Sequence, residues 1–345
     1  MMVIGKRRWA IAAIVVFFAV AALLMVACGS RRRVTITGKT MGTVYHIAVM
    51  VPVMTSANQL QRDVDVRLAE VNSSMSTYIP GSEISRFNAL NMSEQPFPAS
   101  SDFMNVLRVG QRIFSLTGGA WDGTVWPLVR LWGFHLPVEK RNGIPTREEV
   151  GVALDCVGYD KIRLTEDAVV KKVNCVSLDL ASIAKGYGVD QIAALLKKKG
   201  LNDFLVEIGG EIVASGTKEK GAAWNVGINM PEAYAPVDQV RRALTLTNQA
   251  IATSGDYRNF FVRDGREYCH IIDPRTGYPV TTGIVSASVI ADSCTFADGL
   301  ATALMVMPPR EGLALVNSLE NVECLITVRE PDGQLKDYYS DHFIE

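Results

Sequence analysis

Only four histidines occur in 345 residues, and the six cysteines follow no zinc-ligand spacing. A His/Cys metal centre therefore has no basis in this sequence. No serine, histidine and aspartate fall into a triad arrangement, so nothing calls for a covalent serine intermediate. Neither an internal repeat nor a low-complexity tract is present, which excludes a repeat array. Excess charge is missing too: 35 Lys and Arg face 36 Asp and Glu, a formal net charge of −1. That balance argues against nucleic acid as a partner.

One long apolar run is present. Lys6, Arg7 and Arg8 precede Trp9 to Ala27, and the run stops at Cys28 within L-M-V-A-C-G-S. This is the layout of an export signal. The run is long enough to span a bilayer, so an uncleaved anchor is the alternative. Charge bias gives such an anchor no orientation, because Arg31, Arg32 and Arg33 balance the three basic residues before it. Cleavage before Cys28 removes the difficulty. The segment resembles a bacterial lipoprotein signal, in which the cysteine is lipidated and becomes the new N-terminus, although Met25 is an unusual residue at its position. Gly29-Ser30 resembles the start of lipoproteins that move on to an outer membrane. Three arginines beside anionic headgroups would add roughly 1 kcal/mol each.

The expected organisation is a signal over residues 1–27, a lipidated tether over 28–33 and one functional region over 34–345. Losing residues 1–27 leaves 318 residues and lowers the formal charge from −1 to −4. That length holds one large domain or two medium ones with a full core. Of the five cysteines beyond Cys28, Cys156 and Cys175 are the nearest pair, around an expected hairpin. Export permits a disulfide there. Buried free thiols are nevertheless the expected state.

Val34–Val53 alternates and predicts a strand pair or one long strand. Helices are expected over Ser56–Asn72, Ser101–Thr117, Ser182–Lys199, Cys294–Met307 and Arg310–Ser318, with an irregular loop over Gly133–Pro145. A hairpin is expected over Lys161–Leu164 and Val169–Val176. Short strands follow at Phe204–Ile208, Glu211–Ser215, Trp224–Ile228, Leu244–Leu246, Ala250–Thr253, Asn259–Val262, Ile284–Ile290 and Glu323–Thr327. Strands in runs, with helices between the runs, predict an α+β fold with mixed, largely antiparallel sheets flanked by helices.

Two separated segments carry the chemistry. In A-D-G-L-A-T-A-L, Asp298 and Thr302 stand four apart on one helix face, where two oxygens can meet a hard cation such as Mg²⁺. The structural alternative is a threonine bonded back to its own helix beside a capping carboxylate. In D-L-A-S-I-A-K-G-Y-G-V-D, a turn entering a helix near Ser182 would carry Lys185 in its first turn, where dipole, free N–H groups and ammonium suit a phosphate. Asp179 and Ser182 could equally be ordinary helix-start residues. Gly186 and Gly188 each cost about 1 kcal/mol inside a helix, which makes sense where something approaches the backbone closely. Elsewhere, Tyr78 and Trp121 offer flat faces for a flavin or adenine ring, or simply pack. Asp122 beside Gly123 is a turn residue or a ligand acceptor. His270 precedes the turn D-P-R-T-G and is a candidate base, although a lone histidine is more often structural.

Eight motifs in order give the chain its resemblance. They are M-G-T-V-Y from Met41, S-T-Y-I-P-G-S-E-I-S-R-F-N from Ser76, G-G-A-W-D-G-T-V-W-P-L from Gly118 and D-L-A-S-I-A-K-G-Y from Asp179. V-E-I-G-G-E-I from Val206, A-T-S-G-D-Y from Ala252, H-I-I-D-P-R-T-G-Y-P from His270 and A-D-G-L-A-T-A-L from Ala297 complete the series. Over the whole mature length the chain resembles the ApbE family, the FAD:protein FMN transferases, often periplasmic lipoproteins. The resemblance implies FAD contacts at Met41, Tyr78, Ala120, Trp121, Asp122, Asp179, Lys185 and His270 through Ile272. It implies Mg²⁺ on Asp298, Thr302 and the Ser182 carbonyl. In many relatives Phe stands at the Trp121 position and Ala or Thr at Ser182; the first keeps an aromatic face and the second a carbonyl.

The implied reaction transfers FMN from FAD to a Ser or Thr hydroxyl of an acceptor protein, releasing AMP, with His270 as base. Implied acceptors are membrane redox-complex subunits exposing a short Ser/Thr motif outside the cytoplasm, and the implied location is the periplasmic face of a bacterial membrane, inner or outer. Two rivals share the site: hydrolysis of FAD to FMN and AMP, and a lipid-anchored FAD-binding protein without chemistry.

Overall fold

The computed structural model describes residues 31–137, 140–141, 143–232, 239–256, 260–263 and 265–343. The expected signal, Cys28 and Asn259 lie outside the described residues. Strands β1 (Arg31–Thr40) and β2 (Thr43–Pro52) form a hairpin in full register, turning on Met41 and Gly42 at φ 48° and 72°. Two consecutive left-handed residues suit the twist of a two-residue hairpin. Pairing starts at Arg31, opposite Pro52, so the three arginines expected in the tether are already part of the sheet.

The hairpin begins an eight-stranded sheet of order β1-β2-β6-β7-β10-β13-β14-β15, in which every neighbouring pair is antiparallel. Its other members are β6 (Phe204–Ile208), β7 (Glu211–Ser215), β10 (Gln249–Gly255), β13 (Ile284–Ala291), β14 (Glu323–Arg329) and β15 (Leu335–Tyr339). Small sheets accompany it: β3 (Pro96–Pro98) with β5 (Ala168–Lys171) and β4 (Ile162–Leu164), β8 (Trp224–Asn229) with β9 (Val240–Leu246), and β11 (Phe260–Arg263) with β12 (Arg266–Cys269). The architecture is α+β.

Alternation along the strands divides the core into layers. On β2, Ile47, Val49 and Val51 face helices α1 (Ala57–Met75) and α6 (Ala181–Lys198), packing with Leu60, Val64, Leu68, Val189, Ile192 and Leu196. Ala48, between them, joins Trp224, Val226, Leu244 and Leu246 of the β8–β9 hairpin on the opposite face. Each such aliphatic side chain contributes about 1.5–3 kcal/mol by leaving water. The remaining helices are α2 (Glu83–Asn88), α3 (Ser101–Leu116), α4 (Trp126–Leu131), α5 (Arg147–Leu154), α7 (Cys294–Val306) and α8 (Pro309–Asn317). Among the described residues no helix is long and apolar enough to cross a membrane.

Cys156 and Cys175 form a disulfide, whereas Cys269, Cys294 and Cys324 are buried free thiols. The expectation of free thiols is thus corrected at Cys156 and Cys175 and holds at the other three. The bridge holds together two segments that also share one turn. Gly158 N–H donates to Thr124 Oγ1 at 2.7 Å, and Asp179 N–H donates to the Gly123 carbonyl at 2.8 Å.

Candidate active site

Helices α6 and α7 cross where α6 has no side chain. A Cβ on Gly186 would meet the Cys294 carbonyl oxygen and Asp298 Cβ, and one on Gly188 would meet Met41 Cε and Ile208 Cδ1. The close approach expected at these glycines is therefore made by the protein itself. Asp190 fixes the crossing. Its Oδ1 accepts from Cys294 N–H at 3.0 Å, and its Oδ2 from Thr295 N–H at 2.9 Å, Thr295 Oγ1 at 2.6 Å and Ser293 Oγ at 2.8 Å. These donors belong to the start of α7, where a carboxylate is favoured.

Asp298 and Thr302 follow on the same helix and line one cavity with Ser182. Asp298, 2% exposed, accepts from Gly186 N–H through Oδ2 at 2.9 Å. Gly186 stands four residues beyond Ser182 on α6, so its bond to Asp298 sets the carboxylate against the turn of α6 that carries Ser182. Burial pushes the Asp298 carboxyl up, against the pull of the Lys185 ammonium. Thr302 Oγ1 bonds Ser254 Oγ of β10 at 2.9 Å. Among the described residues no three His, Cys, Asp or Glu side chains gather as a metal-ligand cluster. One carboxylate, one hydroxyl and one carbonyl are still all hard oxygens, and a desolvated carboxylate favours a cation beside it, so the set fits Mg²⁺.

Lys185 differs from expectation in two ways. Helix α6 begins at Ala181, with Leu180 before it and no side-chain cap, which places Lys185 in the second turn. Its ammonium is also engaged, 2.5 Å from Glu211 Oε1 and 3.8 Å from Asp298 Oδ1. Burial alone would lower its pKa, yet Asp298 and Glu211 together raise it and hold it charged. Asp179 Oδ1 accepts from Ala181 N–H at 2.9 Å, the local turn that opens the helix, and burial raises that carboxyl.

Two cavities meet at this helix start. One, of about 360 Å³, is lined by Ala120, Trp121, Asp122, His270 and Ile272 together with the Asp298 cluster. The other, of about 420 Å³, is lined by Met41, Val71, Met75 and Tyr78. Asp179, Ala181 and Lys185 belong to both. Every residue expected to touch FAD or metal thus lines one of two chambers that share this wall. Tyr78, 81% exposed, is free to stack. Trp121 is only 2% exposed, packs against Tyr159 and donates from Nε1 to Ser182 Oγ at 2.9 Å, which leaves its ring little face for a ligand. Asp122 is both wall and turn residue. Its Oδ1 accepts from Thr124 N–H and Oγ1, its Oδ2 from Tyr159 N–H, and burial raises its pKa to about 6. His270 follows β12 and is half-buried at the cavity wall.

Glu211, Thr253 and Ser254 line the same cavity and were not singled out from the sequence. The one available signal was a glutamate directly after Gly209-Gly210, since an acidic residue entering an apolar strand needs a partner.

The ApbE family model matches residues 41–326. The FAD:protein FMN transferase of Vibrio cholerae is 40% identical over 342 residues, 98% of each chain. That of Haemophilus influenzae is 37% identical over 319 residues, 90% of this chain and 91% of its own. The solved flavin transferase ApbE from Vibrio cholerae superposes with a TM-score of 0.79 at 39% identity, covering 91% of this chain and 99% of that one. The apo flavinyl transferase ApbE of Pseudomonas stutzeri gives 0.81 at 34% identity, covering 91% and 96%.

Proposed function

The chain belongs to the ApbE family and is an FAD:protein FMN transferase, and from that premise we propose how its residues perform the transfer. The observation that carries the proposal is the pair of chambers whose walls share Asp179, Ala181 and Lys185; FAD, a two-part molecule, would lie across them with its diphosphate at the shared wall. In this reading an acceptor Ser or Thr hydroxyl attacks the flavin-side phosphorus. The new oxygen–phosphorus bond forms as the bond to the bridging oxygen breaks, whose electron pair leaves with AMP. His270 takes the hydroxyl proton and returns it to solvent. Lys185 and the start of α6 face the diphosphate charge, while Glu211 and Asp298 keep the ammonium protonated. Asp298, Thr302 and the Ser182 carbonyl would hold Mg²⁺, which when bound neutralises charge on the phosphate oxygens.

We further propose a periplasmic protein anchored through lipidated Cys28, with membrane redox-complex subunits as acceptors. The support is the basic, apolar and small-residue series ending at Cys28 and the family's habit. Cys28→Ser should abolish lipid modification; an unchanged mass and membrane fraction would refute the anchor.

Incubation with FAD, Mg²⁺ and a candidate acceptor tests the reaction. Covalent flavin fluorescence on the acceptor with one AMP per label supports it. Free FMN with AMP indicates hydrolysis instead, and unchanged FAD indicates binding alone. EDTA should stop labelling and Mg²⁺ restore it, whereas Asp298→Ala should label poorly at any Mg²⁺ concentration.

A further inference from the structure

Glu211 opens β7 directly after the Gly209-Gly210 turn, where both glycines have positive φ, 63° and 109°. The turn sets Glu211 opposite Ile208 at the end of the β6–β7 pair, on the wall of the chamber that holds the Asp298 cluster. Only 1% of the residue is exposed. Its Oε1 lies 2.5 Å from Lys185 Nζ, but Oε2 is buried and has no hydrogen-bond partner in the structure. An unsatisfied buried acceptor is costly, and more so when it belongs to a charged group.

Resting on the transferase reading, we propose that Glu211 is a substrate-contact residue: Oε1 anchors Lys185, and Oε2 accepts a hydrogen bond from a sugar hydroxyl of the bound dinucleotide. The Lys185 ammonium already balances this carboxylate through Oε1, so a neutral donor is enough for Oε2. FAD carries such donors next to its diphosphate, on the ribityl chain and on the ribose. Ser254 also lines this chamber, with its hydroxyl bonded to Thr302 Oγ1 at 2.9 Å.

The test is calorimetric titration of wild type and Glu211→Met with FAD, FMN, AMP and inorganic pyrophosphate. Met fills the space without a polar atom. Pyrophosphate has no sugar hydroxyl and reads only the loss that travels through Lys185. FAD should lose roughly tenfold more affinity than pyrophosphate, the value of a hydrogen bond to a charged group. The extra loss should recur with FMN if the ribityl chain is the donor, or with AMP if the ribose is. Equal losses for FAD and pyrophosphate would reduce Glu211 to a positioning residue and overturn the contact. Should Glu211→Met fail to fold, Lys185→Met/Glu211→Met leaves no unpaired charge, and comparison with Lys185→Met asks the same question. A wild-type protein that binds no FAD would sink the transferase reading as well, whereas normal FAD binding with unaffected Glu211 variants would sink this proposal alone.

Discussion

Gly186 of α6 lies so close to Cys294 of α7 that a Cβ on it would come within 2.4 Å of the Cys294 carbonyl oxygen and 2.8 Å of Asp298 Cβ. Gly186→Ala should gain about 1 kcal/mol of helix propensity. Against a backbone carbonyl that cannot rotate away, overpacking costs about 1–3 kcal/mol. The variant should therefore be less stable than wild type, with acceptor labelling reduced further because Asp298 is pushed from its place. A denaturation midpoint equal to or above wild type would show that the helices part without cost.

The disulfide offers a second test. Its closed loop spans a separation of 19 residues, for which chain entropy predicts about 3 kcal/mol of stabilisation. Cys156→Ala/Cys175→Ala should lose that stability. FAD affinity should fall as well, because the 175–179 segment carries Asp179 and hangs on Gly123 and, through Ser177, on Val125. Equal urea midpoints for the variant and the oxidised protein would deny the bridge a stabilising role.

The long periodic elements were legible because their apolar spacing is imposed by the core they build. The helix expected over Ser101–Thr117 is observed at Ser101–Leu116, and that over Cys294–Met307 at Cys294–Val306. Short helices such as Trp126–Leu131 were not, since six residues hold too little periodicity to declare a face. Arg147–Leu154 was legible in principle: Thr146 and Glu149 form a capping box that the sequence displays as T-x-x-E. In the site, the i,i+4 pair on α7 could be read because it depends on one helix. The Glu211–Lys185 pair could not, because it joins a strand to a helix 26 positions earlier and only the tertiary fold brings them together.

Asp122 gives a prediction in pH. Burial raises its carboxyl from the ordinary 3.8 to about 6, against three hydrogen bonds that favour the anion. A raised folded pKa means that Asp122's contribution to stability is fully present below pH ~4 and is lost as pH rises through about 6, a change of about 2–3 kcal/mol. Asp122→Asn cannot titrate, so the fall in stability between pH 4 and 7 should be shallower in the variant. Parallel curves for the two proteins across that range would assign the dependence to other groups.

The last prediction separates binding from chemistry through Lys185 and His270. Lys185 sits at the junction of both cavities, where the diphosphate would lie before and during reaction. Lys185→Ala should weaken FAD binding, and it should also lower stability because Glu211 is left buried without its partner. His270, after β12, lines the chamber of the Asp298 cluster and not the other one. If it is the general base, His270→Asn should bind FAD with near-normal affinity while acceptor labelling falls roughly 10²–10⁴-fold and recovers little at saturating FAD. FAD affinity and labelling rate, measured on both variants, decide the assignment. A His270→Asn enzyme that labels at the wild-type rate, or fails only because FAD no longer binds, would make His270 a ligand contact and leave the acceptor proton to another group.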